Sequence, residues 1–335
     1  MTFNIARAAR LLFCLGWTLT ATALSSALAQ PANQAATKGF PSRPVRTLVP
    51  LPAGGSMDTI VRGLSQRLTE SFGQTFVVDN RPGAGSLVAL DILSTAAPDG
   101  HTLMGVGGTT IVYPLLYKSR YDIARDFAPV AQLTAHGYLL VIHPGVPAKS
   151  VAEFVQHLKA NPEKVNYSSS GIGSPLHLSG ELFKLATGTR MTHIPYKGTG
   201  AAYGDLLGGQ VQASFPTIIS SLAHIRANRL RALAVTMNKR APVLPNVPVF
   251  EEAGVNGLVV VNWYGIIAPQ KTPPAIVEQL ATAINKAIRS PDMSKSIAAD
   301  GAEAATGSPA ELGAHIKAES ERWGRVVQAA GIKGN

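Results

Sequence analysis

One cysteine, Cys14, is all the sequence has. Beyond the first 29 residues there is therefore no disulfide, no thiol nucleophile and no thiolate metal ligand. No run after that point approaches the ~18 apolar residues that signal a transmembrane helix. Lysine and arginine exceed the acids, for a formal charge of +10, but form no basic run and no stripe interleaved with aromatics. That excludes a nucleic-acid interface and leaves a diffuse positive field, suited to a small anion or to no ligand at all. There is no HExxH and no Cys/His cluster, hence no metal site, and nothing calls for a cofactor. A P-loop lysine and a GxGxxG fingerprint are both missing. The GxSxG of a nucleophile elbow is missing too, because the serines of SSSGIGS are spaced differently. With 46% hydrophobic and only 15% charged residues, the chain can bury a large core and is not disordered. Its 335 residues suggest about two domains.

Residues 1–29 read as a signal peptide. Arg7 and Arg10 precede the apolar stretch Leu11–Leu24, which is too short to span a bilayer, and Ala27-Leu28-Ala29 places cleavage after Ala29. Removing the two arginines lowers the formal charge from +10 to +8. Phe13 stands before Cys14 where a lipoprotein signal has a small residue, so no lipid anchor is expected. Residues 30–42 form a polar tether. An exported chain without disulfides or membrane spans points to a bacterial periplasm.

Strand-like and helix-like segments then alternate. Strands are expected at Val45–Val49, Phe76–Val78, Thr102–Val106, Leu139–His143, Val165–Ser168, Thr192–Tyr196, Val211–Phe215, Leu230–Val235 and Tyr264–Ala268. Val151, Phe154, Val155 and Leu158 make one helical stripe, and Ile276, Val277, Leu280, Ile284 and Ile288 another. Ser150 and Ser308 fit as N-caps, and Pro273-Pro274 suits a first turn. The pattern is α/β with mostly parallel sheet, which places ligands at the carboxyl ends of strands.

Four glycine-rich corners each follow a strand. The first is Pro52-Ala53-Gly54-Gly55-Ser56, leading into a stripe of Ile60, Val61, Leu64 and Leu68. The second is Ser168-Ser169-Ser170-Gly171-Ile172-Gly173-Ser174. The third, Gly105–Thr110, and the fourth, Pro195–Gly200, are of the same kind. A strand that turns on glycine into a helix leaves unpaired N–H groups at the helix start, where the macrodipole adds about half a positive charge. Each corner alone is also explained as an ordinary turn, with Ser56 as N-cap. Four in one chain suggest a cleft built from loops.

The segments FPSRPVRTLVPLPAGGSMDTIVRGLSQRL, VVDNRPGAGS, APDGHTLMGVGGTT, VNYSSSGIGSPLHLSGELF, THIPYKGTGAAYGDLLGGQVQ and LRALAVTMNKRAPVLPNVPVFEEAG resemble the Bug (TctC-type) family, the solute receptors of tripartite tricarboxylate transporters. The resemblance runs from about Phe40 to Lys333. It implies a two-lobed periplasmic binding protein of the Venus-flytrap, type II-like kind, with 43–140 and 237–335 in one lobe, 141–236 in the other, and hinges near Val141 and Thr236. It further implies a monomer that is not an enzyme, binds a small carboxylate and hands it to integral-membrane permease subunits. The implied carboxylate contacts are Gly54, Gly55, Ser56, Ser170, Gly171 and Ser174, within turns that also hold Pro52, Ala53, Asp58, Ser169 and Gly173. Met57, Thr109, Tyr196 and Asp205 are implied for the pocket wall. Leu51, Tyr113 and Pro216 stand where the family often has Phe, Asn and a polar residue. These departures favour a ligand with an apolar or aromatic body over a citrate-like polyacid. A ligand-sensing protein and a secreted hydrolase are the alternative functions. Two readings stand for several other residues: His177 touches the ligand or packs; Lys197 steers anions or is an exposed loop lysine; Asp205 contacts ligand or locks its loop; Trp263 and Tyr264 line the pocket's far end or pack.

Overall fold

The computed structural model describes residues 39–117, 119–299 and 302–334; residues 1–29, read above as a signal peptide, and residues 30–38 of the expected tether lie outside them. In chain order the elements are β1 (Val45–Val49), α1 (Ser56–Phe72), β2 (Phe76–Asn80), α2 (Leu87–Thr95), β3 (Thr102–Gly107), α3 (Gly108–Leu116), α4 (Ile123–Asp126), β4 (Phe127–Gly137), β5 (Leu139–Ile142), α5 (Val151–Ala160), β6 (Asn166–Ser169), α6 (Pro175–Thr187), β7 (Thr192–Pro195), α7 (Thr199–Leu207), β8 (Ala213–Ser214), α8 (Ile218–Arg226), β9 (Arg231–Val235), β10 (Val261–Pro269), α9 (Pro274–Ile288), α10 (Pro291–Ala299), β11 (Glu303–Ala304) and α11 (Pro309–Ala329).

The strands form two sheets, ordered β11-β4-β10-β3-β1-β2 and β7-β6-β8-β5-β9. The architecture is the α/β, two-sheet one expected, but the sheets are mixed rather than mostly parallel. β1 runs parallel to β2 and β3, and β6 to β7 and β8. By contrast, β10 is antiparallel to both β3 and β4, β11 is antiparallel to β4, and β5 is antiparallel to β8 and β9. The cause lies in the connections. β4 carries the chain out of the first sheet and β10 brings it back, so the two lie side by side in opposite directions.

Buried apolar stripes hold the helices on the sheets. Ile60, Val61, Leu64 and Leu68 of α1 pack with Ile276, Val277, Leu280, Ile284 and Ile288 of α9 in one core cluster. Each fully buried aliphatic side chain contributes roughly 1.5–3 kcal/mol. Ser150 caps α5 by accepting the Glu153 N–H, and Ser308 with Glu311 forms a capping box on α11. Ser56, by contrast, is the first residue of α1, and its N-cap is Gly55.

Thr236 joins the segments that link the sheets. Its N–H donates to Tyr138 O and its Oγ accepts the Tyr138 N–H, both at 2.9 Å. The same hydroxyl donates to Val260 O, and Thr236 O accepts the Val260 N–H. Helix α11 packs against β4 and α3 on the first sheet's side and against α6 on the second's.

Candidate functional site

A cleft of about 290 Å3 lies where the two sheets face each other. It is lined by Pro50, Leu51 and Met57 at the first corner and Gly107–Thr110 at the third. Ser170, Pro175 and Leu176 line it from the second corner, and Thr199 from the fourth. Thus all four corners meet. Ser86, Tyr138, Thr217, Asn262 and Tyr264 complete the wall. Among the described residues no lysine, arginine, histidine or carboxylate lines it.

Six helices begin at this cleft: α1, α2, α3, α6, α7 and α8 contribute lining residues in their N-caps or first turns. Five of them have no side-chain cap; their N-cap residues are Gly55, Ser86, Gly107, Gly198 and Thr217. Elsewhere α4, α5 and α11 are capped by Asp122, Ser150 and Ser308, whereas α9 simply starts on proline. Uncapped first turns present backbone N–H groups that no helical carbonyl reaches, together with the positive end of the dipole. A cleft ringed by such turns has the electrostatics to accept an anion without a cation.

At the first corner, Pro52, Ala53, Gly54, Gly55 and Ser56 are exposed between the lining residues Leu51 and Met57. Gly54 has φ +85°, a conformation glycine adopts freely and other residues rarely do. Met57 is buried and packs against Gly105 and Gly107 of the third corner. Asp58 is buried and does not line the cleft. Its carboxylate accepts the Gly54 N–H at 2.9 Å, Arg62 Nε at 3.0 Å and Asn80 Nδ2 at 2.9 Å. The Arg62 bond, reinforced by those from Gly54 and Asn80, outweighs burial and holds its pKa down at about 2. Asp58 is the lock of this corner, an internal anion on its own helix start.

Within residues 168–174, Ser170 alone lines the cleft, with Pro175 and Leu176 following at the start of α6. Ser169 is buried, and its Oγ donates to Gly171 O and accepts the Gly171 N–H. Ser174 caps α6 by accepting the His177 N–H. Gly171 and Gly173 adopt φ of +129° and +75°. Gly173 lies so near Leu116 of α3 that a β-carbon there would meet it at 2.1 Å, so the two halves touch across the cleft.

Thr109 lines the cleft and Thr110, beside it, hydrogen-bonds Ser86 Oγ at 3.2 Å. Tyr196 and Asp205 do not line it; the tyrosine hydroxyl donates to Asp205 Oδ2 at 2.6 Å. Burial, with that carboxylate, pushes the phenol up to about 12. This bond ties Asp205 to the fourth corner.

Tyr113 stacks on Tyr117, with ring centroids 4.1 Å apart, and packs on Gly85, outside the cleft wall. Pro216 is buried, and its carbonyl accepts the Leu139 N–H. Of the three departures from the family pattern, Tyr113 and Pro216 do not line the cleft, whereas Leu51 does. Asn262 and Tyr264, two residues apart on β10 and so on one face, line the cleft. Trp263 between them faces the core, fully buried against His315. Asn262 is held by His136, its cross-strand partner, through Nε2. His136 is buried, and burial pushes its pKa down to about 4. Ser86, in a left-handed conformation at φ +86°, was foreshadowed only by the glycines of RPGAGS. Tyr138 and Thr217 had no signal beyond lying beside strand ends.

Among the described residues no group of three or more His, Cys, Asp or Glu side chains is placed to hold a metal ion. No helix among them is long and apolar enough to cross a membrane.

The family model described as "Tripartite tricarboxylate transporter family receptor" matches residues 60–332. Protein BugT of Bordetella pertussis is 36% identical over 297 residues, covering 88% of this chain and 91% of that protein. Among solved structures, R. palustris Rpa4515 with adipate is 35% identical with a TM-score of 0.76, covering 88% of this chain and 99% of that one. MatC from Rhodopseudomonas palustris with bound malate is 32% identical with a TM-score of 0.73, covering 86% and 100%.

Proposed function

The chain belongs to the tripartite tricarboxylate transporter receptor family, and on that premise we propose that it is a periplasmic solute receptor whose ligand is a small carboxylate held in the cleft. The observation that carries this reading is the ring of six helix starts, five without a side-chain cap, around a cavity with no charged side chain. Burying a carboxylate without partners is prohibitive. Amides and hydroxyls supply charge-assisted bonds and require no lysine or arginine.

The first sheet forms the core of one lobe (43–140 and 237–335) and the second that of the other (141–236), the first boundary falling within β5. Contacts come from the first-turn amides of α1 and the 168–174 turn, with Thr109, Asn262 and Tyr264 at the wall. A ligand bridging both lobes favours the closed form by the contacts made only there. The adipate of Rpa4515 and the malate of MatC, both dicarboxylates, support a small carboxylate. With Leu51, Met57, Leu176 and Tyr264 in the wall and no cation, an apolar-bodied acid suits the cleft better than a polyacid. Residues 1–29 direct export and are removed. The family is a receptor family rather than an enzymatic one, and permease subunits in the membrane receive the ligand.

Calorimetric titration of the purified protein with adipate, malate, benzoate, citrate and the uncharged diamide of adipate tests this. Acids with one or two carboxylates are expected to bind and the diamide to fail. Binding of the diamide as tight as that of adipate, or of no acid at all, would sink the reading.

A further inference from the structure

Directly behind the second corner lies a half-buried polar cluster whose residues do not line the cleft. His177 of α6 and His193 of β7 stack face to face, with ring centroids 3.8 Å apart and planes at 9°. Each imidazole grips one end of the turn. His193 Nε2 is 2.6 Å from Ser169 Oγ, the hydroxyl that also bonds both the N–H and the carbonyl of Gly171. His177 Nδ1 accepts the Gly173 N–H at 3.1 Å. Between those anchor points sits Ser170, the residue of the turn that lines the cleft.

The surroundings fix the state of both rings. Tyr167 of β6 packs against His193 and donates to Glu181 Oε1 at 2.6 Å, and Lys184 donates to both Glu181 oxygens at 2.8 Å. Because His177 Nδ1 accepts, the ring's proton sits on Nε2, which faces Glu181 Oε1 at 3.8 Å. Burial, with Lys184 nearby, pushes His177 down to about 4. Burial and His177 push His193 down to about 3. Both rings are therefore neutral at neutral pH. A proton on Nδ1 of His177 would set N–H against the Gly173 N–H and break the grip.

We propose that the stacked His177–His193 pair is a positioning device that holds the 168–174 turn in its anion-accepting conformation and so sets the affinity of the cleft for carboxylate. This rests on the reading of that turn as half of the site. The turn needs such support, because Gly171 and Gly173 both stand at positive φ and cost the chain backbone freedom to order. Neither histidine touches the ligand; each acts through a backbone or hydroxyl group of the turn.

Four variants separate positioning from packing. His177→Phe and His193→Phe keep a stackable ring and remove the bonds. His177→Asn places an acceptor near the position of Nδ1, and His193→Gln reaches the position of Nε2. Two readouts are taken on each: amide hydrogen exchange of residues 168–174, and the dissociation constant for adipate by calorimetry. The phenylalanine variants are expected to exchange at least tenfold faster in the turn and to bind adipate at least tenfold more weakly. The Asn and Gln variants should recover most of both. Unchanged exchange in folded phenylalanine variants overturns the positioning role. Faster exchange with unchanged adipate affinity overturns the link to affinity, and does so by showing that the turn is not the site. If a phenylalanine variant fails to fold, the Asn and Gln variants still decide. Weakened binding in both, with native exchange, contradicts the proposal.

Discussion

At the scale of single residues, the first corner separates a binding group from a locking one. Gly55 has ordinary backbone angles, and a β-carbon added there meets only Pro52 O at 3.7 Å. Gly55→Val should therefore fold with a melting temperature close to wild type, while its branched side chain stands over the first-turn amides. Affinity for carboxylate is expected to fall by at least ~tenfold, about 1.4 kcal/mol, and calorimetry would show it. Gly171 is a poorer test position, because φ +129° strains any replacement. Asp58 makes the opposite prediction. Asp58→Asn leaves the Gly54 and Arg62 donors poorly paired and should cost about 1–3 kcal/mol of stability. The folded carboxyl titrates at about 2 and an unfolded one near 3.8. The stability difference between wild type and variant should thus be constant above about pH 4. It should close as pH falls toward 2, as denaturant titrations over that range would record.

At the scale of elements, the sequence was most legible where a short apolar run meets a glycine corner. β1 appears at the expected Val45–Val49, and β3 begins at Thr102 as expected. What escaped was β4, FAPVAQLTAHG, buried without period-two alternation and interrupted by Pro129. Its register shifts against β10 blur the pattern further. Missing β4 also hid the antiparallel pairing, since a crossing strand leaves no local trace of its direction. The glycine corners named the loops that meet at the cleft, but not which residues within them line it. Nor did they reveal Ser86, Asn262 and Thr217, which arrive through tertiary packing. Contact between elements makes Gly173 a second test. Gly173→Ala puts a methyl at a φ of +75° and into Leu116 of α3. It should prise the halves apart, weakening carboxylate binding at least ~tenfold, whereas Gly173→Ala combined with Leu116→Ala should recover part of the loss. Equal affinity in the single and double variants would rule out this contact as the cause.

Across the whole molecule, the buried His136 and His177 and the half-buried His193 share one electrostatic fate. Burial lowers His136 and His177 to about 4 and His193 to about 3. Unfolded, each binds a proton near pH 6.5. Between pH 6.5 and 4 the unfolded chain therefore holds more protons than the folded one, and stability falls as pH falls. Melting temperature should drop steadily over that interval, with net proton uptake on unfolding, measurable by calorimetry in buffers of different ionisation enthalpy. His193→Gln should reduce the uptake by about one proton. A flat profile from pH 6.5 to 4 would contradict the burial of these rings.

The claim beneath all of this is that backbone dipoles, not a side-chain cation, neutralise the ligand's acid. A crystal structure of the protein with adipate tests it most directly. The account predicts a carboxylate oxygen accepting N–H bonds from the start of α1 and from the 168–174 turn, with no lysine or arginine in contact. A carboxylate resting on a cationic side chain, or bound away from those two turns, would contradict it.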